Sequence, residues 1–360
     1  MQSEGASIGM EQASMTALYA RTNTAADAVD EIMRRGGPEL RERMARAEAH
    51  LEQVTAQSGM PLASHATATI AAGGKRLRPL LVMLAAESAA GPTEGPEGEQ
   101  GLVRAAVAVE LVHSATLVHD DLIDGAELRR GRPTVATVAG RKAAIATGDL
   151  LFSRAFAELA RNRDTEQLRA LSDASSALAA GELLQREDAY APHVTVERYM
   201  RRCELKTAAL FEAACRLGAL MAPAGDPAAL AGALGGFARR IGLAFQILDD
   251  VLDVSGEVER TGKARGTDLL DGTVTLPLIL ARAQEPQLAS FDLATLDGAS
   301  GQEKVEELCE RIAATGALGQ AREQALQLVA EAKAELPAIL PGGRSALLEL
   351  VADAVVERYS

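Results

Sequence analysis

Tryptophan is absent from this sequence of 360 residues, and all aromatic residues together make up only 3% of it. Alternating stretches of valine, isoleucine, threonine and tyrosine, which are typical of β-strands, are hard to find. Alanine and leucine are abundant, and both have high helix propensities. The sequence therefore predicts an all-α protein, and its length allows one large domain or two ordinary ones.

Basic residues are too few to balance the acidic ones. The chain has 37 lysines and arginines against 50 aspartates and glutamates, which gives a net charge of −13. Nucleic acids and anionic lipids attract positive charge, so this balance argues against a nucleic-acid binder and against electrostatic docking to a membrane. An anionic substrate must therefore be held by a local basic cluster or by a metal ion.

Cysteine is also scarce. Cys203, Cys215 and Cys309 show no metal-ligand spacing, and their odd number is typical of small core residues in a reducing compartment. The N-terminus lacks the apolar core of a signal peptide, and no apolar stretch approaches the roughly 20 residues that span a bilayer. We therefore expect a cytoplasmic protein with no transmembrane segment.

The chain divides into a short polar part and a long helical part. Residues 1–37 are polar and alanine-rich, and they predict an N-terminal extension, partly disordered, with a helical pattern from Ala25 to Arg35. Residues 38–360 predict one helix after another within a single large helical bundle, with breaks at glycine and proline. The glycine-, proline- and glutamate-rich segment 91–101 predicts a surface loop.

The most informative pattern is Asp-Asp-x-x-Asp, which occurs twice, each time within an apolar segment that predicts a helix. The first and last aspartates of each copy are four residues apart and so share one helix face. Like charges at this spacing destabilise a helix, and Mg²⁺ is a cation that commonly joins carboxylates to phosphates. Two facing helices of this kind predict a diphosphate site, although two solvated helix surfaces are the alternative. The aspartates are Asp120, Asp121 and Asp124 in the first copy and Asp249, Asp250 and Asp253 in the second.

Basic residues lie close to these motifs in the sequence. Lys75 and Arg78 occupy a glycine-to-helix junction, where free N–H groups and the helix dipole favour a phosphate, although a solvated basic turn is the alternative. His113 precedes the first aspartate by seven residues, or two helical turns, on nearly the same face. Arg129 and Arg130 follow the first motif and point in different directions, so they can bind two anions or simply neutralise the aspartates.

Together these segments resemble the trans-isoprenyl diphosphate synthases, or polyprenyl synthetases. The resemblance covers residues 38–360 in the family's order and spacing. It implies an all-α fold around a central active-site cavity, usually in a homodimer. It also implies the head-to-tail condensation of an allylic diphosphate primer with isopentenyl diphosphate, which releases diphosphate. The matching segments are residues 74–79, 113–133, 206–207, 245–253 and 262–277.

The resemblance also implies residue roles. Isopentenyl diphosphate would be held by Lys75, Arg78, His113 and Arg130. More than one Mg²⁺ ion would bind Asp120, Asp124 and Asp249 on the allylic diphosphate, and Asp121, Asp250 and Asp253 would support them in catalysis. The allylic diphosphate would also contact Arg129, Lys206, Thr207, Gln246 and Lys263, of which Lys206 is also expected to be catalytic. The chain departs from the family at Thr273, where a lysine is frequent, so one phosphate contact is missing or comes from elsewhere.

The product length depends on the residues before the first motif. The family position associated with chain termination is Ala115, whereas helical geometry favours Thr116; both are small, and Val112 lies one turn further away. An open tunnel here predicts a long all-trans product, in the hexaprenyl to decaprenyl range. The alternatives are a geranylgeranyl diphosphate synthase, a class I terpene cyclase, which needs no isopentenyl diphosphate site, and one subunit of a heteromeric synthase.

Overall fold

The structure is a computed structural model that describes residues 24–57, 62–89, 95–223, 225–256, 265–296 and 301–357. Across these ranges the regular structure is helical apart from one antiparallel hairpin, β1 (Leu128–Arg129) and β2 (Arg132–Pro133), in which Leu128 pairs with Pro133. The α-helices are α1 Thr24–Arg35, α2 Gly37–Ala56, α3 Leu62–Ala71, α4 Leu77–Ser88, α5 Pro96–Ile123, α6 Val135–Ala139, α7 Arg141–Ala160, α8 Thr165–Asp188, α9 Val196–Cys203, α10 Ala209–Ala219, α11 Pro227–Ser255, α12 Thr267–Leu270, α13 Leu276–Gln284, α14 Pro286–Ala289, α15 Gly301–Ala314, α16 Ala317–Ile339 and α17 Ala346–Glu357. A π-helix covers Glu204–Ala208, and a 3₁₀-helix covers Leu293–Leu296. The prediction of an all-α fold is confirmed.

Helix α10 lies at the centre of the bundle. It contacts α4, α5, α8 and α11, and side chains on nearly all of its faces are buried, among them Phe211 and Leu217. A helix that is apolar most of the way round cannot lie at a surface without exposing apolar area to water, so its composition accounts for its central position.

The predicted surface loop at residues 91–101 is wrong from residue 96 onwards, because α5 begins at Pro96. Proline fits the first turn of a helix, since its missing N–H has no partner there in any case. Glu97 and Glu99 lie in the same turn, where negative charge is favoured by the helix dipole. Glu99 also forms ion pairs with Arg43 and Arg46 of α2, which fixes the start of α5 against its neighbour.

Helices α5 and α11 carry the two acidic motifs and are long and apolar. The expectation that no stretch approaches the length of a membrane span is wrong by length and composition, because both helices reach it. In the most apolar 18-residue window of each, however, 78% and 50% of the residues are buried inside the protein. Both are therefore core helices of the bundle.

The helical pattern predicted from Ala25 to Arg35 corresponds to α1, which packs against the C-terminal helix α17. Ile32 of α1 is only 1% exposed. Residues 1–23 lie outside the described residues, and the predicted domain boundary at residue 37 stays a prediction.

Candidate active site

The π-helix lies between α9 and α10 and contains Lys206 and Thr207. Such segments hold one residue more than the α-helix they interrupt and are frequent at functional sites. Lys206 donates a hydrogen bond to Glu182 of α8 at 2.5 Å, and Thr207 donates one to Gln246 of α11 at 2.6 Å. These two adjacent residues therefore connect the π-helix to two different helices, α8 and α11.

The first acidic motif lies at the C-terminal end of α5. Asp120 is in the last turn, and Asp124 follows the helix with its backbone N–H bonded to the carbonyl of Asp120 at 2.8 Å, so the one-turn spacing is kept. Burial raises the pKa of Asp120 to about 6; the positive charge of Lys206 opposes this shift, and the negative charge of Glu182 adds to it. Lys206 therefore lies within electrostatic reach of the motif.

Asp121, the second aspartate of this motif, turns away from the solvent. It is 6% exposed and accepts a hydrogen bond from Arg129 Nε at 2.6 Å. Arg129 therefore neutralises Asp121 in this structure. Its position in the sequence had allowed either this role or the binding of an anion.

Two residues of α8 that sequence reasoning missed complete this side of the site. Arg186 donates hydrogen bonds to Asp124 and, at 3.1 Å, to Glu182. Burial raises the pKa of Glu182, but Lys206 and Arg186 outweigh it and leave that pKa below its usual value. The only sequence signal was the spacing of four residues between Glu182 and Arg186, which is typical of any surface ion pair on a helix.

The second acidic motif, on α11, uses its three aspartates differently. Asp250 is 3% exposed and accepts hydrogen bonds from Tyr199 at 2.7 Å and from Gln246 at 2.8 Å. Asp253 accepts from the backbone N–H groups of residues 267 and 268, both at 3.2 Å, at the start of α12. Burial raises the pKa of both carboxyl groups, and Asp249, like Asp253, is partly exposed.

A second group of side chains, mainly basic, surrounds His113. Burial lowers the pKa of His113 well below its usual value, and the positive charges of Arg78, Arg130 and Arg129 lower it further. Arg130 lies against the glycine-to-helix junction, because a Cβ atom on Gly74 would be 2.8 Å from its Nη1 atom. The structure thus brings together His113, Arg78 and Arg130, and Lys75 is exposed on the same junction.

Arg78 has the clearest signature of an anion site in this group. Its guanidinium lies 4.9 Å from the centre of the Phe211 ring, and its buried Nε atom has no hydrogen-bond partner within the described part of the chain. Burial lowers its pKa to about 10, so the side chain still carries its charge at neutral pH. A buried charged donor without a partner is costly, and a phosphate oxygen would satisfy it.

Sequence reasoning also missed Arg76, which shapes the junction. Arg76 adopts a left-handed backbone conformation with φ 48° and donates hydrogen bonds to Glu48 at 2.8 Å and to Glu110 at 3.0 Å. These ion pairs hold the turn from which Lys75 and Arg78 project. Lys263, in contrast, lies outside the described residues, and Thr273 donates its backbone N–H to the carbonyl of Asp268 at 2.8 Å.

Residues 60–312 match the family described as Polyprenyl synthetase. The chain belongs to the polyprenyl synthetase family. Among its relatives, heptaprenyl diphosphate synthase component 2 of Geobacillus stearothermophilus is 39% identical over 68% of this chain and 74% of its own length. Geranylgeranyl diphosphate synthase of Methanosarcina mazei is 35% identical over 80% of this chain and 86% of its own. The crystal structure of a polyprenyl synthase from Caulobacter crescentus, complexed with calcium and isoprenyl diphosphate, is 33% identical with a TM-score of 0.81 and covers 92% of this chain and 98% of its own.

This polyprenyl synthetase is therefore a trans-prenyl diphosphate synthase, an enzyme of isoprenoid biosynthesis. The family's substrates are isopentenyl diphosphate and an allylic diphosphate, and the family uses a divalent metal together with the diphosphate.

The carboxylates of this synthetase fit such a metal. Among the described residues, no three His, Cys, Asp or Glu side chains converge closely enough to hold an ion on their own. Mg²⁺ commonly binds one or two carboxylates and takes its other oxygens from water and substrate phosphates, so this donor set suits an ion that arrives with a diphosphate. A cation would also offset the cost of the buried charge on Asp120.

Proposed function

We propose that this synthetase makes a long-chain all-trans polyprenyl diphosphate, in the hexaprenyl to decaprenyl range, by repeated condensation of an allylic diphosphate with isopentenyl diphosphate. The observation that carries the proposed length is the small size of the side chains on α5 that precede the first motif. Ala115 and Val112 are fully buried, and Thr116 is partly buried with its hydroxyl bonded to the carbonyl of His113 at 2.8 Å. No aromatic ring stands at these positions to stop a growing chain.

The allylic diphosphate is proposed to bind between the two acidic motifs. Asp120, Asp124 and Asp249 would hold the magnesium ions, and when bound these ions stabilise the negative charge of the departing diphosphate. The phosphate oxygens would also contact Lys206 and Thr207, which the π-helix presents side by side. Arg129, Gln246 and, outside the described residues, Lys263 complete this proposed set.

Isopentenyl diphosphate is proposed to bind the basic group at the junction. Arg78 supplies a buried donor without a partner, and Arg130 and Lys75 supply further positive charge. His113 is held neutral among these cations, so it can donate one hydrogen bond without adding charge. Two separate anion sites are what a condensation of two diphosphates needs, and a terpene cyclase would need only one.

The test is incubation of the purified protein with labelled isopentenyl diphosphate and, separately, dimethylallyl, geranyl, farnesyl and geranylgeranyl diphosphate. Products are dephosphorylated and separated by chain length. We expect products of six or more isoprene units. Products that stop at geranylgeranyl length would contradict the long-chain proposal and support the shorter alternative, which the Methanosarcina relative also represents.

The quaternary structure is a separate part of the proposal. We expect a cytoplasmic homodimer that is active without another protein, because both proposed anion sites are built from one chain. The Geobacillus relative is named as component 2 of its synthase, which favours one subunit of a heteromeric enzyme as the second candidate. Activity of the purified chain alone would exclude that candidate.

A further inference from the structure

A line of three hydrogen bonds, buried at Tyr199 and Asp250 and partly buried at Gln246, connects α9, α11 and the π-helix. Tyr199 donates its hydroxyl to Asp250 Oδ2 at 2.7 Å, and Gln246 donates its Nε2 to Asp250 Oδ1 at 2.8 Å. Thr207 then donates its hydroxyl to Gln246 Oε1 at 2.6 Å. Tyr199 is fully buried, so it lies beyond the reach of any substrate.

The hydrogen-bond partners of Gln246 define the orientation of its side-chain amide. Gln246 directs its NH₂ group to Asp250, which accepts as a carboxylate, and its oxygen to the hydroxyl of Thr207. The tyrosine hydroxyl occupies the second carboxylate oxygen and prevents the carboxylate from turning. The orientation of Gln246, and with it the place of Thr207, therefore depends on Tyr199.

We propose that Tyr199 is a positioning residue: through its hydrogen bond to Asp250, it fixes the π-helix that carries the diphosphate-binding residues. Without the hydroxyl, Oδ2 of the buried Asp250 loses its hydrogen-bond donor. An unpaired buried oxygen is costly, so the carboxylate would turn to bond with another donor. Gln246 bonds to the other oxygen of the same carboxylate, so a turn of Asp250 toward another donor would shift Gln246 and release Thr207. The proposal rests on the allylic diphosphate site described under Proposed function.

The experiment uses Tyr199→Phe, which keeps the ring in the core and removes only the hydroxyl. Affinity for inorganic diphosphate in the presence of Mg²⁺ is measured by calorimetry, and KM is measured for both substrates. We expect diphosphate affinity to fall about tenfold, as is typical for loss of a group that orients a ligand. The KM for the allylic diphosphate should rise with it, while the KM for isopentenyl diphosphate should stay within twofold. Unchanged diphosphate affinity, or an equal rise in both KM values, would overturn the proposal.

Three controls separate positioning from general loosening. Tyr190→Phe removes the hydroxyl of an exposed tyrosine and should change neither measurement. Val329→Ala opens a cavity in α16 and should lower the unfolding temperature without the split between the two KM values. In a double-mutant cycle with Thr207→Val, the effects on diphosphate affinity should be non-additive, because both substitutions break one line; additive effects would contradict the proposal.

The outcome also distinguishes this inference from the proposed function. If the wild type condenses no isopentenyl diphosphate but Tyr199→Phe still weakens diphosphate binding, the proposed function fails and the positioning role stands. If the wild type is active and Tyr199→Phe behaves like it in every measurement, only the positioning role fails.

Discussion

A Cβ atom on Gly181 would lie 2.6 Å from the backbone nitrogen of Lys206 and 2.9 Å from its Cα atom. Side chains do not tolerate such distances, so α8 and the π-helix meet here through bare backbone. This close approach brings Lys206 within reach of Glu182, the next residue of α8.

Gly181→Ala should therefore displace the π-helix and weaken the enzyme. We expect a loss of about 1–3 kcal/mol in the free energy of unfolding, as for other overpacked cores, and a higher KM for the allylic diphosphate. Denaturant unfolding and steady-state kinetics measure both. The matched control is Gly319→Ala in α16, where a Cβ atom meets nothing within 4 Å, and there we expect stabilisation of up to about 1 kcal/mol. Equal behaviour of the two variants would refute the close approach.

Removal of one aspartate from either motif should abolish most activity while the fold survives. Asp120→Asn and Asp249→Asn should each lower kcat by at least about 100-fold, since each removes a carboxylate that would hold the magnesium ions against the departing diphosphate. Asp120→Asn should unfold no earlier than the wild type, because it removes a buried negative charge close to Asp124 and Glu182. Asp173→Asn, on the exposed surface of α8, is the control. A folded motif variant with near-normal turnover would show that the metal ligands are misassigned.

Arg78→Ala should separate the two substrates. We expect the KM for isopentenyl diphosphate to rise at least about tenfold, the loss typical of a hydrogen bond to a charged group, and the KM for the allylic diphosphate to change much less. Substrate titrations at saturating concentration of the other substrate measure both values. Arg169→Ala, an exposed arginine of α8 that pairs with Glu166, should leave both unchanged. A larger effect on the allylic substrate would mean that the two sites are interchanged.

An aromatic ring on α5 should shorten the product. A phenylalanine at residue 116 or 115 lies about one helical turn from Asp120, so it would meet the chain after few condensations. Thr116→Phe is the better variant, because Ala115 is fully buried and its replacement by a large side chain risks overpacking. Thr116→Val is the size-matched control and should keep the wild-type length. If neither aromatic variant shortens a long product, the chain grows along another wall.

The three thiols should be unreactive in the folded protein. Cys203, Cys215 and Cys309 are all buried, and burial raises the pKa of Cys203 and of Cys309 to about 12, so almost no thiolate is present at neutral pH. A colorimetric thiol reagent should therefore detect none of them until denaturant is added and then detect three. Rapid reaction of one thiol in the native protein would contradict this burial.

Much of the fold was predictable because composition and periodicity report directly on helices. Helix α11 and the carboxylate pairs followed from such patterns, whereas the start of α5 did not, because Pro96 is equally compatible with a loop and with the first turn of a helix. Arg186, Glu182 and Tyr199 could not be found in the same way. Each becomes part of the site only through a partner far away in sequence, such as Asp124 or Asp250, and no local pattern encodes such a partner.

The π-helix sets the phase of the helices that flank it. An extra residue rotates everything after it by about 100° relative to an uninterrupted α-helix. Deletion of a single residue between Glu204 and Ala208 would remove this rotation and turn either Lys206 or Thr207 away from its partner helix. Substitutions on the outer face of this segment leave the rotation between α9 and α10 unchanged. Insertion or deletion of one residue would change that rotation. The property that descendants of this enzyme must conserve here is the number of residues, and the chemical character of the outward-facing ones can drift.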